Sequence, residues 1–336
     1  MRTGVLIVNL GTPRSPRPVD VGRYLREFLM DPWVIDIPYP ARWLLVQALI
    51  VPRRAYASGK LYEKIWTPEG SPLLVHTVNL AKGLQSELGE NFVVRPAMRY
   101  GAPSIRSALE AFAQDGIEKL LAWPLYPQYS LAATKSSQQE IDRWADVFLP
   151  GVPRAIAPAF YDRKEYLDAV AEVSRPHIIG ADRVLFSFHG LPARQVKKTD
   201  RSGRHCLAAA NCCDQVTPAN RDCYRAQSFH TARELASRLG LEKGKWDVGF
   251  QSRLGRTPWI EPFSDVLYES LPKQGVKKLA VLTPSFVADC LETLEEVQLR
   301  GEQAFKAAGG ESLKLVPSLN SHPAWVRALA AKTRAF

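Results

Sequence analysis

A chain of 336 residues exceeds one typical domain and suits two, each large enough to bury a core of its own. Its 46% hydrophobic and 23% charged content, with no long polar or low-complexity block, excludes a disordered chain. Forty-four Lys and Arg against 34 Asp and Glu leave a net charge of +10, which favours an anionic partner; nucleic acid is not expected, because the basic residues are scattered and carry no zinc-finger or RNA-recognition signature.

The opening MRTGVLIVNLG has one Arg before a short apolar run and passes straight into Gly and Pro, so it reads as a first buried strand rather than a targeting segment. Further apolar, β-rich runs fall at 92–98, 119–124, 183–188, 247–250 and 278–283, the first being 4–10. Between them, 104–114, 138–147, 227–239 and 292–308 show apolar residues three and four apart, the pattern of helices. Strands alternating with helices imply parallel sheets covered on both faces. The longest apolar candidate for a span, 43–51, is interrupted by Gln47 and is about half the roughly 18 residues a membrane helix needs.

The chain also matches itself. VLIVNLGTP from Val5 resembles VLFSFHGLP from Val184, MRYGAP from Met98 resembles SRLGRTP from Ser252, and WPLYPQYSLAAT from Trp123 resembles TPSFVADCLET from Thr283. Three matches in one order argue for two similar α/β halves, and each matched motif falls at a strand end, where such sheets bind ligands. The expected limits are 1–165 and 166–315, with a C-terminal extension over 316–336.

SFHG places His189 where an apolar strand meets a glycine, and DCLETLEEV supplies a partner. Glu292 and Glu296 are four apart and share a helix face, with Asp289 about one turn earlier; such carboxylates either face solvent or surround a cation.

SFHGLP, PSFVADCLETLEE, MRYG, YPQYS and IWTPEGSPL together resemble the ferrochelatase family over nearly the whole chain apart from a cysteine-rich stretch. The resemblance implies two Rossmann-like, chelatase-like domains around a porphyrin cleft, and an enzyme that inserts ferrous iron into protoporphyrin to make haem. It assigns the chemistry to His189 and Glu292, with Glu296 and Asp289 behind Glu292 as a polar path for metal or protons. Insertion removes two pyrrole protons and strips water from a divalent cation, so bases and transient nitrogen or oxygen ligands are the residue types it needs. By the same resemblance Leu10, Tyr126, Trp259 and Phe286 form the wall that bends the macrocycle. Arg53, Arg54, Tyr62 and Ser71 lie on the propionate side, and Arg99 in MRYG organises the cleft. Cys290 stands where animal relatives have histidine and many bacterial relatives have cysteine. Segment 24–51, with Phe28, Trp33 and Trp43, resembles the apolar lip that admits porphyrin and touches the bilayer; the bland alternative is a core helix between loops. A cytoplasmic protein, peripheral at the inner membrane, is expected.

Relatives run from HGLP through a short loop, whereas here 197–223 is longer and holds Cys206, Cys212, Cys213 and Cys223. Without a secretory signal these thiols belong in a reducing compartment, where they bind metal or stay free. The stretch resembles the internal-cysteine form of a two-iron, two-sulfur cluster site, with zinc and four free thiols as alternatives. Coproporphyrin as substrate, a cobalt or nickel chelatase, and a non-catalytic haem or siderophore binder are the competing readings. The last has no use for both His189 and the carboxylates.

Overall fold

The computed structural model describes residues 2–255 and 257–336; Met1, which starts the opening run, and Arg256, inside SRLGRTP, lie outside the described residues. In chain order the elements are β1 (Thr3–Gly11), α1 (Pro18–Leu29), α2 (Tyr39–Leu44), α3 (Val51–Glu63), α4 (Pro72–Leu88), β2 (Phe92–Tyr100), α5 (Ile105–Asp115), β3 (Lys119–Pro124), α6 (Ser136–Phe148) and β4 (Arg154–Ile156). There follow α7 (Lys164–Ile178), β5 (Arg183–His189), α8 (Ala193–Lys197), α9 (Tyr224–Arg238), β6 (Trp246–Gln251), α10 (Ser264–Ser270), β7 (Lys278–Leu282), α11 (Glu302–Ala307), β8 (Ser312–Leu315) and α12 (Pro323–Arg334). The short strands β4 and β8 escape the sequence patterns because three or four residues carry too little periodicity to register.

Two four-stranded parallel sheets form, ordered β2-β1-β3-β4 and β6-β5-β7-β8. The central strands β1 and β5 are near-continuous apolar runs because both of their faces are covered. In the first unit Leu6, Val8, Leu109, Phe112 and Ile141 make the core; in the second Leu185, Val281, Val297, Phe305 and Leu313 do.

The first unit runs to Tyr126 and includes Leu131–Ala159 and Asn320–Phe336; the second holds Pro127–Ser130 and Phe160–Leu319. The division therefore falls after Ala159 rather than at 165, and most of the segment read as a separate extension is part of the first unit. The cause is packing: Val326 of α12 rests on Gly83 of α4, where an added Cβ would lie 3.2 Å from its methyl, and Trp123 donates to Thr333 Oγ1 at 3.1 Å.

Strand register tests the repeat. Val5 lies opposite Val94 and Val184 opposite Trp246, so matching Val5 to Val184 pairs Met98 with Phe250, not with Ser252. The hydrogen bonds agree: Met98 N–H donates to the Pro103 carbonyl at 2.7 Å, five residues on, and Phe250 N–H to that of Pro262 at 2.8 Å, twelve residues on. The second loop is longer, which slid the sequence match by two. Within the last residues of the third motif both halves enter a π-helix, Leu131–Lys135 and Glu292–Gly301. The expected helix 292–308 is thus a wide-turn segment followed by α11; apolar spacing of three and four does not separate the two forms.

Candidate active site

In the second unit β5 ends on His189, whose N–H donates to Ser285 Oγ at 3.0 Å and whose Nδ1 lies 2.6 Å from the Gly190 carbonyl. A carbonyl only accepts, so Nδ1 keeps its proton and Nε2 is the nitrogen whose lone pair becomes available as base or ligand when the ring is neutral. Gly190 donates to the Gln251 carbonyl at 2.7 Å, and a Cβ there would sit 2.7 Å from that oxygen and 3.3 Å from the Trp259 ring. Only glycine permits the turn.

Gln251, buried at the end of β6, accepts from Ser187 Oγ and donates to the Glu292 carbonyl, both at 2.8 Å. It ties β5 to the first turn of the π-helix. Ser252, in the left-handed region at φ 67°, donates its N–H and hydroxyl to Glu296 at 2.8 and 2.5 Å. Burial pushes the Glu296 carboxyl up; Ser252 and His189 pull it down and Glu292 reinforces the rise, so the three side chains share one electrostatic field. Arg300 stands 3.9 Å from Glu296 and binds fully buried Glu295 at 2.6 Å.

Asp289 Oδ1 accepts from Thr293 Oγ1 at 3.0 Å and from Ser318 N–H at 3.3 Å. Burial, then the Glu292 carboxylate, pushes the Cys290 thiol up, which leaves it neutral beside Glu292. The Phe286 ring is 6.1 Å from that of His189, and half-buried Trp259 is fixed by a 2.8 Å bond to the Leu254 carbonyl. His189, Glu292, Glu296, Asp289, Phe286 and Trp259 thus gather within one unit at the carboxyl ends of β5, β6 and β7. A histidine nitrogen in the field of carboxylates can take protons; among the described residues no three of these side chains are arranged as a ready metal site, so a divalent cation would have fewer than three of them as ligands at once here.

In the first unit Leu10 is half-buried at the end of β1, opposite Arg99 on β2. Gly11 follows at φ 127°, where a Cβ would fall 1.9 Å from the Tyr100 carbonyl. Arg99 donates to Asp31 at 2.6 Å and to Ser136 at 2.7 Å. Tyr126, just past β3, is buried against Ser137 Oγ at 3.1 Å, and burial pushes its phenol up. Ser71 is buried with its hydroxyl 2.7 Å from that of Thr12. On α3, Tyr62 is buried with its ring edge-on to Trp66, while Arg53 and Arg54 are exposed.

The sequence passed over Asp31, Ser136, Gln251, Ser252 and Ser285. Gln251 and Ser252 could have been found from the repeat once matched by strand register; Asp31 has no local signal.

The four clustered cysteines are buried, in turns between α8 and α9. Cys212 and Cys213 sulfurs are 3.7 Å apart, and the Cys223 thiol hydrogen-bonds with those of Cys206 and Cys213. Arg225 Nη1 lies 3.1 Å from Cys213 Sγ, and Asp200 accepts the N–H groups of Cys206 and His205 at 2.7 and 2.6 Å. Among the described residues no three His, Cys, Asp or Glu side chains are arranged to hold one metal ion; the thiols meet pairwise instead.

Known structures bear on this geometry. The sirohydrochlorin chelatase SirB from Bacillus subtilis subspecies spizizenii, in complex with cobalt, is similar with a TM-score of 0.56 at 13% identity over 99% of this chain and 94% of that one. SirB from Bacillus subtilis with Fe3+ is similar at 0.54 and 14%, over 99% and 95%. The fold is that of the chelatases. A family profile described as Ferrochelatase matches residues 2–335. Proteins named ferrochelatase from Azotobacter vinelandii strain DJ (46% identical over 332 residues, 98% of each chain) and Pseudomonas fluorescens strain SBW25 (47% over 330 residues, 97% of this chain and 95% of that one) are similar almost end to end. The chain belongs to the ferrochelatase family and is a metal chelatase.

Proposed function

We propose that the chain inserts ferrous iron into protoporphyrin to form haem, with the proton and metal chemistry carried by His189 and Glu292. The observation that carries the assignment is the bond from His189 Nδ1 to the Gly190 carbonyl, which holds the ring so that Nε2 is the nitrogen that takes up or releases a proton, in the same electrostatic field as Glu292 and Glu296. Each insertion releases two pyrrole protons, and Nε2 and the carboxylates are the groups able to receive them. Glu296, held by Ser252, and Asp289, held by Thr293 and Ser318, continue the polar path behind Glu292. Leu10, Tyr126, Trp259 and Phe286 supply the apolar surface against the macrocycle. Arg53 and Arg54, with Tyr62 and Ser71, are assigned to the propionates, where exposed guanidinium forks suit carboxylates. Purified protein incubated with protoporphyrin or coproporphyrin, and in turn with ferrous, cobalt and zinc ions, tests the reading: iron insertion into protoporphyrin is expected to be fastest, and metalation of neither porphyrin overturns it.

Cys206, Cys212, Cys213 and Cys223 are proposed to hold a two-iron, two-sulfur cluster. The donor set fits a cluster with two metal centres better than one ion, because the thiols meet in pairs; the Cys223 hydrogen bond and burial push the Cys213 thiol up, and the Arg225 guanidinium 3.1 Å away opposes them and would offset part of a bound thiolate's charge. When bound, the cluster would supply a one-electron centre and a cross-link through the loop. Protein purified without oxygen should be coloured; any one of the four changed to Ser should lose the colour, and Cys290→Ser should keep it. Stoichiometric zinc in colourless protein would replace this assignment.

Among the described residues no helix is long and apolar enough to cross a membrane. A cytoplasmic, peripheral protein is proposed, touching the inner membrane through 24–51. There Trp43 and Leu44 are 48% and 58% exposed, while Val46 is buried against Leu25 and Leu29. Flotation with anionic vesicles, lost on Trp43→Ser with Leu44→Ser, tests it.

A further inference from the structure

One buried polar cluster in the first unit has no part in the proton and metal chemistry. The Asp31 side chain is 2% exposed and that of Arg99 14%. Asp31 Oδ2 accepts from Arg99 Nη2 at 2.6 Å, Tyr100 OH at 2.8 Å and Ser136 Oγ at 2.6 Å, and its Oδ1 accepts the Trp33 N–H at 2.7 Å. Four donors on one carboxylate make a fully satisfied buried charge. Such a pair is seldom needed for stability, since well-packed apolar residues of equal volume serve as well, but losing one partner is costly and the geometry it imposes is tight.

The repeat shows what the cluster replaces. By strand register Tyr100 corresponds to Ser252, each two residues beyond the Met98 and Phe250 pair. By the third motif, which pairs Trp123 with Thr283 one residue beyond the strand register of Leu121 and Ala280, Ser136 corresponds to Glu296. In each half the two corresponding side chains meet: in the first the hydroxyl oxygens lie 3.2 Å apart with both protons spent on Asp31, and in the second Ser252 donates to Glu296 at 2.5 Å. Where the second half has a carboxylate of its own at this position, Glu296, the first has Ser136 and receives its carboxylate from outside the repeat, just after α1.

That carboxylate has two dependents. Arg99 spends Nε on Ser136 and Nη2 on Asp31, with its guanidinium 4.5 Å over the Tyr100 ring, so the group is held in one orientation near the carboxyl end of β2 with N–H donors still to spare. The apolar segment starts its turn on Asp31, whose backbone carbonyl accepts from Val34 and Ile35 at 3.0 Å, while the Trp33 indole is pinned to Gln139 at 2.6 Å. Farther along, buried Arg42 donates to the Ile35 and Ile37 carbonyls.

We propose that Asp31 is a positioning residue for porphyrin binding: it fixes the Arg99 guanidinium and the start of the apolar segment together, so that affinity for the macrocycle, and not the insertion step, depends on it. The proposal rests on the porphyrin reading, so binding of protoporphyrin to the wild-type protein, followed by quenching of tryptophan fluorescence, comes first. Absence of binding removes that reading and this one with it. If the wild type binds, Asp31→Asn is expected to keep its secondary structure, raise KM for porphyrin at least tenfold with kcat within about threefold, and weaken equilibrium binding in parallel, the pattern of lost uniform binding. Adding Arg99→Gln to Asp31→Asn should cost little more, because the two act as one unit. Should Asp31→Asn not fold, Ser136→Ala and Tyr100→Phe, each removing one donor to Oδ2, are expected to shift KM in the same direction. An unchanged KM, a collapsed kcat at unchanged KM, or additive effects of the Asp31 and Arg99 changes would overturn the proposal while leaving the porphyrin reading in place.

Discussion

Replacing Gln251 with Leu tests whether the turn at His189 and the π-helix at Glu292 are mechanically one piece. Leu nearly conserves the volume of a side chain that is 3% exposed, so no large cavity opens. Two hydrogen bonds go, one accepted from Ser187 and one donated to the Glu292 carbonyl. At about 1 kcal/mol net each the loss of stability should be ~2 kcal/mol; Ser187 keeps its 2.8 Å bond to Ser264, which limits the penalty of an orphaned hydroxyl. Activity should suffer more than stability, because a group that has drifted by about 1 Å can cost on the order of a hundredfold in kcat. Urea unfolding at constant slope gives the stability and steady-state insertion gives kcat. A stability change below about 0.5 kcal/mol, the range of inert surface substitutions, together with an unaltered kcat would refute the coupling.

His189→Ala and Glu292→Gln should each nearly abolish turnover while circular dichroism stays unchanged; near-normal activity in either removes that residue from the mechanism. Changing Arg53 and Arg54 together should raise KM for porphyrin more than it lowers kcat, and the reverse pattern would contradict a propionate role. The Asp200 carboxyl is held far below the usual carboxylate range, first by the Cys206 N–H and then by those of Ser202 and His205 with the Ser202 hydroxyl. Its stabilisation of the cysteine loop is therefore present above the unfolded value of 3.8 and lost only as pH falls through the lower folded value. The loop should resist limited proteolysis equally at pH about 7 and about 5, and Asp200→Ala should expose it at both; a wild-type loop that opens between those values would show that Asp200 does not hold it.

The local order of apolar runs and turns was enough to announce two α/β halves, because parallel strands buried on both faces are nearly uninterrupted in Val, Ile and Leu, and VLIVNLG and VLFSFHG display this directly. His189 was visible as a histidine at such a strand's end, and DCLETLEE as a set of carboxylates one turn apart. What the sequence could not carry is whatever depends on the third dimension. The longer loop between Phe250 and Pro262 moved the second repeat match by two residues, and only hydrogen-bond register restored it. The π-helical turns at Leu131–Lys135 and Glu292–Gly301 share their apolar spacing with α-helix and differ only in which carbonyl each N–H finds. Asp31 lies 68 residues from Arg99 and 105 from Ser136, in a segment that reads as ordinary apolar helix and turn. Long-range packing also gave the final helix to the first unit, since Trp123 meets Thr333 and Gly83 meets Val326 only once both ends of the chain are folded. Sequence periodicity records what each residue needs from its near neighbours; a buried charge is satisfied by partners distant in the chain, and those the tertiary structure alone supplies.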